Sequence, residues 1–421
     1  MKRQINVSFF IVFLLLMFGF TPHTSVAAEE HRYIIGFQEE INSTLIEQYG
    51  GTIEQSLPSI QAVAALFPTE INKELASDPA IAYIEEDKQL TIHQTIGWGV
   101  KSTNAPTVWK SGLTGKGVKV AVIDTGVNTT HPDLEIQKGI SVVSYTTSFE
   151  DDNGHGTNVA GILAAKDNDI GIIGMAPDVE LYVVKAFDSN GDGYHSHLIK
   201  GIEWAVNEGV DIINLSVGSK AYSIGLLAAT NDAYKKGVII VAAAGNGGNA
   251  EGQGNKVEFP AAFESTIAVA AIDKNDRRAS FSATGPQVEV AAPGVRILTT
   301  SIGGGYEYNS GTSMAVPHVS GHLALLKEAY PKLTASELRD LLHEQTIDTT
   351  GDGRNHEFGY GKISLPTNLT EQVSTRTRHE QAIYSSAMKS ILVGQRVVHH
   401  FGDETFPISQ VSTAKMLQRG W

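Results

Sequence analysis

Five apolar runs separated by helix-length sequence constrain this chain more tightly than any other feature. They fall at 118–123, 180–184, 210–215, 238–243 and 266–271, and most are built from valine, isoleucine and alanine. Helical patterning lies between them at 157–166, 197–207 and 224–234. A strand that is apolar along its whole length, rather than at alternate positions, has to be covered on both faces. Such strands in alternation with helices predict an α/β fold, a doubly wound parallel sheet with helices on both faces. Two further helices are expected later in the chain, at 313–328 and after the capping box Thr334-Ala-Ser-Glu337.

That pattern occupies residues 94–372, and the rest of the 421 residues reads differently. Residues 1–28 carry Lys2 and Arg3, a twelve-residue apolar run at 9–20, and then Val26-Ala27-Ala28. This is the layout of a secretory signal peptide, which implies a secreted, extracellular protein. As a membrane anchor the run falls short, since twelve helical residues reach about 18 Å of a hydrocarbon core roughly 30 Å thick. No other stretch is apolar enough to span, so no stable membrane insertion is expected.

Residues 29–93 read as a small α+β (βαββαβ) segment, with strands at 32–37, 52–57, 60–67 and 80–84 and helices at 44–49 and 69–76. It holds 12 Asp/Glu against 3 Lys/Arg, and alone it would suit any small binding module. The tail, 373–421, reverses the balance to 6 Lys/Arg against 3 Asp/Glu, with Arg376, Arg378, His379, His399 and His400. Two readings of it stand: contact with an anionic cell wall, or an end that is trimmed and takes no fixed order, the latter preferred.

Composition removes several chemistries. The chain has no cysteine, which excludes a disulfide scaffold, a thiol nucleophile and any thiolate-bound metal or cluster. A formal charge of −14 argues against wrapping nucleic acid, which needs a basic face.

Three short motifs carry chemistry within 94–372. Val120-Ala-Val-Ile-Asp124-Thr-Gly126 ends an apolar strand with a carboxylate, at the edge where open parallel sheets place active sites. Asn153-Gly-His155-Gly-Thr-Asn-Val-Ala-Gly161 sets a histidine where a helix of small residues begins. Gly311-Thr-Ser313-Met-Ala-Val-Pro-His-Val-Ser-Gly321 places a serine between a glycine turn and a helix start. Each alone has an ordinary reading: a turn carboxylate, a packed histidine, a helix N-cap. Together, an Asp, a His and a Ser at element edges of one α/β domain are the parts of a hydrolytic triad. A serine hydroxyl needs a base within reach, and the imidazole needs a carboxylate to hold its tautomer. The chain order Asp124, His155, Ser313 excludes the α/β-hydrolase order.

These motifs resemble the subtilisin-like serine protease (subtilase) family in its secreted Bacillus-type form, with signal peptide, inhibitory propeptide and catalytic domain. The resemblance covers residues 1–371 and implies a secreted serine endopeptidase, acting as a monomer on extended protein and peptide substrates. Val241-Ala-Ala-Ala-Gly245-Asn246 matches the family's oxyanion motif, so Asn246 is expected to donate its amide alongside the Ser313 N–H. Gly191-Asp192-Gly193 and Ser216-Val217-Gly218 match the two edges that clamp an extended chain. Ala243, Ala244 and Gly245 would line the pocket for the residue before the cut. Glu258 stands where the family often has a small residue at that pocket's base, so a preference there for Lys or Arg is expected, against the plain reading of a solvated glutamate. Asn158 replaces a second histidine common in relatives, off the triad.

The family's calcium site maps onto Gln94, Asp133, Lys166, Asn168, Ile170 and Ile172. Asp133 and Asn168 would give side-chain oxygens, and Lys166, Ile170 and Ile172 carbonyls, a hard-oxygen set that suits Ca²⁺ in a structural role. Gln94 would join only once the chain is cut near it. A rival loop, Asp188-Ser-Asn190-Gly-Asp192-Gly193, starts like an EF-hand but has Ile199 where the bidentate glutamate belongs. By the same resemblance residues 29–93 are the enzyme's own propeptide, an intramolecular inhibitor. Its end, with Thr91 and Ile92, would lie in the cleft and be cut near His93 by the enzyme itself.

Other classes remain as alternatives. Asp-Thr-Gly is also the aspartic-protease signature, but a second copy is needed and Asp348-Thr-Thr-Gly351 is one residue too long. A degenerate protease fold acting as a binding or surface protein is the non-catalytic alternative, disfavoured because all four catalytic groups are present.

Overall fold

The first strands expected from the sequence form a sheet of their own. The computed structural model describes residues 31–71, 73–88, 94–372, 398–401 and 404–407. The signal segment 1–28, the cut near His93 with Thr91 and Ile92, and most of the tail lie outside the described residues. The chain divides between Thr91 and Ile92 into two compact units.

The first unit runs β1 (His31–Phe37), α1 (Ser43–Gln48), β2 (Thr52–Leu57), β3 (Ala62–Phe67), α2 (Lys73–Ala76) and β4 (Ile81–Glu86). The strands pair antiparallel in the order β2-β3-β1-β4. Ile35, Phe37, Ile46, Val63, Phe67 and Leu75 close the core between sheet and helices. Two expected bounds shorten. The chain bends at Pro68 and Thr69, so the described part of the second helix starts at Lys73 and not at 69. Residues 58–60 form a 3₁₀ turn closed by Gln61 at φ 51°, which delays β3.

The second unit opens with two short helices, α3 (Trp98–Ser102) and α4 (Ala105–Trp109), then β5 (Lys119–Asp124) and β6 (Ile136–Ser141). There follow α5 (His155–Ala164), β7 (Glu180–Lys185), α6 (His195–Asn207), β8 (Ile212–Leu215), α7 (Ile224–Lys235), β9 (Ile239–Ala243), β10 (Thr266–Ile272) and β11 (Val288–Pro293). A hairpin of β12 (Ile297–Thr300) and β13 (Tyr306–Asn309) leads to α8 (Thr312–Ala329), α9 (Ala335–Glu344), β14 (Thr346–Ile347) and β15 (Lys362–Ile363). In the tail, β16 (Val398–Phe401) and β17 (Glu404–Pro407) pair antiparallel, a feature that the aperiodic sequence did not suggest.

Nine strands make one sheet in the order β14-β15-β11-β10-β9-β8-β5-β7-β6, parallel except for β14. Alternate residues of each strand serve opposite faces. Val120 and Val122 pack with Val159 and Leu163 of α5 and Val316 and Val319 of α8. Ala121 and Ile123 pack with Leu198 and Ile202 of α6 and Leu226 of α7. Each such valine or isoleucine, moved out of water, contributes about 1.5–3 kcal/mol, so a charge at Val122 would be expelled from a core with no room for it. This is the doubly wound α/β fold that the apolar runs predict. The chain starts the sheet at β5, crosses to the edge strand β6, fills in β7 between them, and then passes to β8 on the other side of β5. Such a reversal opens a crevice at the carboxyl ends of the central strands. Among the described residues no helix is long and apolar enough to cross a membrane.

Candidate active site

Asp124 ends β5 at that crevice and is 1% exposed. One carboxylate oxygen accepts from the Thr125 N–H at 2.7 Å and from His155 Nδ1 at 2.8 Å. The other is buried without a hydrogen-bond partner. His155 is the first residue of α5, and two glycines place it there. Gly154 turns the chain at φ 111°, a conformation that favours glycine. Gly156 lies against the Gly126 carbonyl oxygen, where a Cβ would collide. Since Nδ1 faces the carboxylate, it carries the proton, and Nε2 is left as the basic nitrogen. Burial opposes protonation of this ring, but the charge and hydrogen bond of Asp124, with the charge of Asp151, outweigh it and raise the pKa above 6.5.

Asp151 was not legible as a site residue. It is buried and accepts five hydrogen bonds: from Thr125 Oγ1, from the N–H groups of Asn153, Gly154 and Thr157, and from Thr157 Oγ1. Burial acts against its charge, yet these donors hold its pKa below the ordinary carboxylate value. It therefore fixes the turn that carries His155.

Ser313 is the second residue of α8, so its N–H has no carbonyl four residues back within the helix. Its hydroxyl donates to the Ser216 carbonyl at 2.9 Å, and Ser216 Oγ donates to the Ser313 carbonyl at 2.8 Å. Among the described residues no hydrogen bond joins Ser313 to His155. Behind this pair, Asn214 donates to Ser216 Oγ and accepts from Ser320, a buried chain that seats the helix. Asn246 follows β9, with its Oδ1 accepting from Thr312 N at 3.0 Å and Thr312 Oγ1 at 3.1 Å. Its oxygen is thus committed, which leaves the Nδ2 of this exposed residue as a donor beside Gly311.

The two expected edges border one cleft of about 360 Å³, lined by Gly191, Asp192, Gly193, Val217 and Gly218 together with Phe187, His195, Leu198 and Phe259. Ser216 is buried behind that edge, its carbonyl on the Ser313 hydroxyl. Ala243 and Ala244 are buried in the apolar clusters. The Glu258 side chain lies against Gly218 and Gly245: a Cβ built on Gly218 would collide with its carboxylate, and one on Gly245 would come within 2.8 Å of Cδ. Among the described residues no cation or hydrogen-bond donor pairs with that carboxylate. Glu258 is half-buried, beside these two glycines.

The loop 166–172 gathers oxygens. Gln94 Nε2 donates to Lys166 O at 2.6 Å, Ile172 O at 3.1 Å and Asn168 Oδ1 at 3.4 Å. Asp133 is fully buried with one oxygen accepting from Ile172 N and the Tyr306 hydroxyl, and the other without a hydrogen-bond partner. Ile170 lies in the same loop, its N–H on Asn168 Oδ1. Gln94 thus lies against this loop with its Nε2 turned to the oxygens. Thr95 pairs with the loop through Gly171 O and the Ile173 N–H and brings the glutamine with it. At the rival loop Asp188 Oδ1 accepts from the N–H groups of Asn190 and Asp192, so that carboxylate is committed to its own turn. Asn158 is buried and tied to Thr300 O, Glu307 and Asn309, which fastens the β12–β13 hairpin to α5.

A model described as the subtilase family matches residues 115–361. The chain is 39% identical over 366 residues to Subtilisin E of Bacillus subtilis (strain 168), covering 84% of this chain and 94% of that relative. It is 40% identical over 347 residues to the thermostable alkaline protease of Halalkalibacterium halodurans, covering 82% of this chain and 94% of that protein. Against the minor extracellular protease Epr of Bacillus subtilis (strain 168) the identity is 38% over 399 residues, 91% of this chain. This chain spans 61% of the length of that third relative.

Proposed function

The chain belongs to the subtilase family of serine endopeptidases, and from that premise we propose that it cuts extended protein substrates with Ser313, His155 and Asp124 after secretion as a precursor. The observation that carries this reading is the 2.8 Å contact between Asp124 and His155 Nδ1 at the sheet's crevice. Ser313 Oγ turns from the Ser216 carbonyl to His155 Nε2, gives up its proton there and attacks the scissile carbonyl. His155 then returns the proton to the leaving amine, while Asp124 holds the ring and stabilises its charged form. The oxyanion meets Asn246 Nδ2 and the Ser313 N–H, neither of which has an acceptor among the described residues. Glu258, beside Gly218 and Gly245 with no cation paired to it among the described residues, selects Lys or Arg before the cut.

Residues 29–93 serve as the inhibitory propeptide, and the enzyme removes them itself. The tail is trimmed or dispensable. Calcium fits the 166–172 loop because Lys166 O, Ile172 O and Asn168 Oδ1 converge on one donor and a buried Asp133 oxygen lacks any. Ile170 O and Gln94 Oε1, after a half-turn of the amide, complete a set of hard oxygens. The ion would supply cross-linking charge to the fold and take no part in the reaction.

A serine-directed phosphonate tests the reading. It is expected to label Ser313 and abolish casein hydrolysis. Ser313→Ala, expressed without other proteases, is expected to accumulate with residues 29 to about 93 attached, read by mass. Casein turnover that survives Ser313→Ala would overturn the assignment.

A further inference from the structure

One fully buried charge has no part in the chemistry above. Lys185 ends β7 with 0% of its surface exposed, directly across from Asp124 in the parallel register. Its ammonium donates to the Thr125 carbonyl at 2.6 Å and to Asp152 Oδ1 at 2.5 Å. The third side of the ammonium faces the Tyr145 ring, 5.7 Å from the centroid, and the Tyr145 hydroxyl donates to Asp152 Oδ2 at 2.7 Å. The two groups held by the ammonium are not arbitrary. Thr125 follows Asp124, and its hydroxyl donates to Asp151 while accepting the Gly156 N–H. Asp152 follows Asp151, whose carboxylate organises the turn into His155. One cation thus holds both segments whose spacing sets the Asp124–His155 contact.

We propose that Lys185, through its ion pair with Asp152 and its hydrogen bond to Thr125 O, is a positioning residue that sets the register between Asp124 and His155. This rests on reading His155 as the general base. A buried ammonium costs several kcal/mol of lost hydration, and an apolar side chain of the same length would fill the space at less cost. What methionine would not provide is a directional tie between two loops. The charged groups that act on His155 directly are Asp124 at the end of β5 and Asp151 in the loop before α5; Asp152, Lys185 at the end of β7 and the Tyr145 hydroxyl form the charged group next to them in sequence or register. The clamp therefore acts on the histidine by geometry and by field together, and the two separate experimentally.

Lys185→Met, Asp152→Asn and the double variant Lys185→Met/Asp152→Leu would be compared with the parent by kcat, KM, thermal midpoint and the pH profile of kcat/KM. Each single variant is expected to lower kcat, by up to about 10²-fold for a displacement near 1 Å, with KM changed far less. Losing the cation should raise the acidic pKa of the profile, and losing the Asp152 charge should lower it. The double variant, free of any unpaired buried charge, should regain the parent's thermal midpoint and profile, yet keep the low kcat because neither loop is tied. Recovery of kcat together with stability would overturn the proposal, as would single variants with parental kcat and unshifted profiles. If Lys185→Met does not fold, Asp152→Asn and the double variant decide alone. His155→Ala serves as the separate control: activity surviving it defeats the reading of the base, whereas an inactive His155→Ala beside a fully active Lys185→Met defeats only the clamp.

Discussion

At the scale of single residues, the groups legible in the sequence are those marked by a local break. Asp124, His155, Ser313 and Asn246 each sit within two residues of a glycine at an element edge, where a side chain is presented and backbone donors are free. For Asn246 this makes a sharp expectation. Asn246→Asp keeps the oxygen that accepts from Thr312 but removes Nδ2. Loss of such a donor is known in this family to cost about 10²–10³ in kcat, and a drop of that size with little change in KM is expected here. An unchanged kcat would remove Asn246 from the oxyanion site. Glu258 gives a second expectation. With Glu258→Gly, kcat/KM for a Lys substrate should fall relative to a Leu substrate, by about tenfold or more if the charge pair is worth 1.4 kcal/mol. An unmoved ratio would show that the carboxylate does not select. Asp151 and Lys185 stayed hidden for a physical reason. Glu150-Asp-Asp reads as a solvated acidic loop and a lysine ending an apolar strand as a surface residue, and only the closure of β5 against β7 buries them.

Among elements, legibility followed length and burial. The long helices and the five expected strands lay within two residues of their expected bounds, while the buried β11, its apolar run broken by Glu289, was missed; the capping box holds as written, with Thr334 and Glu337 bonded reciprocally. Missed elements have little pattern to find. β6 is an edge strand, half-exposed and interrupted by Gly139, while α3 and α4 are five residues each, too short to display a helical period. α8 also contains what no periodicity discloses, two fully buried histidines. His318 gives Nδ1 to Met314 O and His322 faces Gln345, and each leaves its other nitrogen without a hydrogen-bond partner. Burial lowers both pKa values to about 4, the remaining contacts opposing it only in part. An unfolded chain protonates them near 6.5, so between pH 6.5 and 4 it binds protons that the folded chain refuses. Stability is therefore full above that window and declines through it, on the order of 3 kcal/mol per histidine over its whole width. In a Ser313→Ala background, which prevents self-digestion, the thermal midpoint should drop between pH 7 and pH 5. His322→Gln should lessen that drop, and an equal drop in both chains would locate the acid sensitivity elsewhere.

For the whole molecule, the chain divides into two compact units near the shift from an acidic α+β segment to an alternating α/β pattern, but that shift does not tell which distant pieces hold the larger one together. Residues 94–95, 133, 166–172 and 306 meet at one point, through the Thr95 pairing with Gly171 and Ile173 and the Tyr306 hydroxyl on Asp133. No local signal joins segments so far apart, and the loop had to be matched as a set. An ion bound there would tie the start of the domain, the turn before β6 and the β12–β13 hairpin, all of which separate on unfolding. Binding to the folded chain alone adds RT ln(1 + [L]/Kd), about 2.7 kcal/mol when calcium is a hundredfold above its Kd. Unfolding of a protease is best read as a rate, because the unfolded chain is consumed. In Ser313→Ala, a calcium chelator should therefore speed thermal unfolding by up to about 10²-fold, if the ion is absent from the transition state, and added calcium but not magnesium should restore it. Asp133→Asn should unfold fast with or without calcium. A chelator-insensitive unfolding rate, or a full calcium response in Asp133→Asn, would exclude this loop as the site.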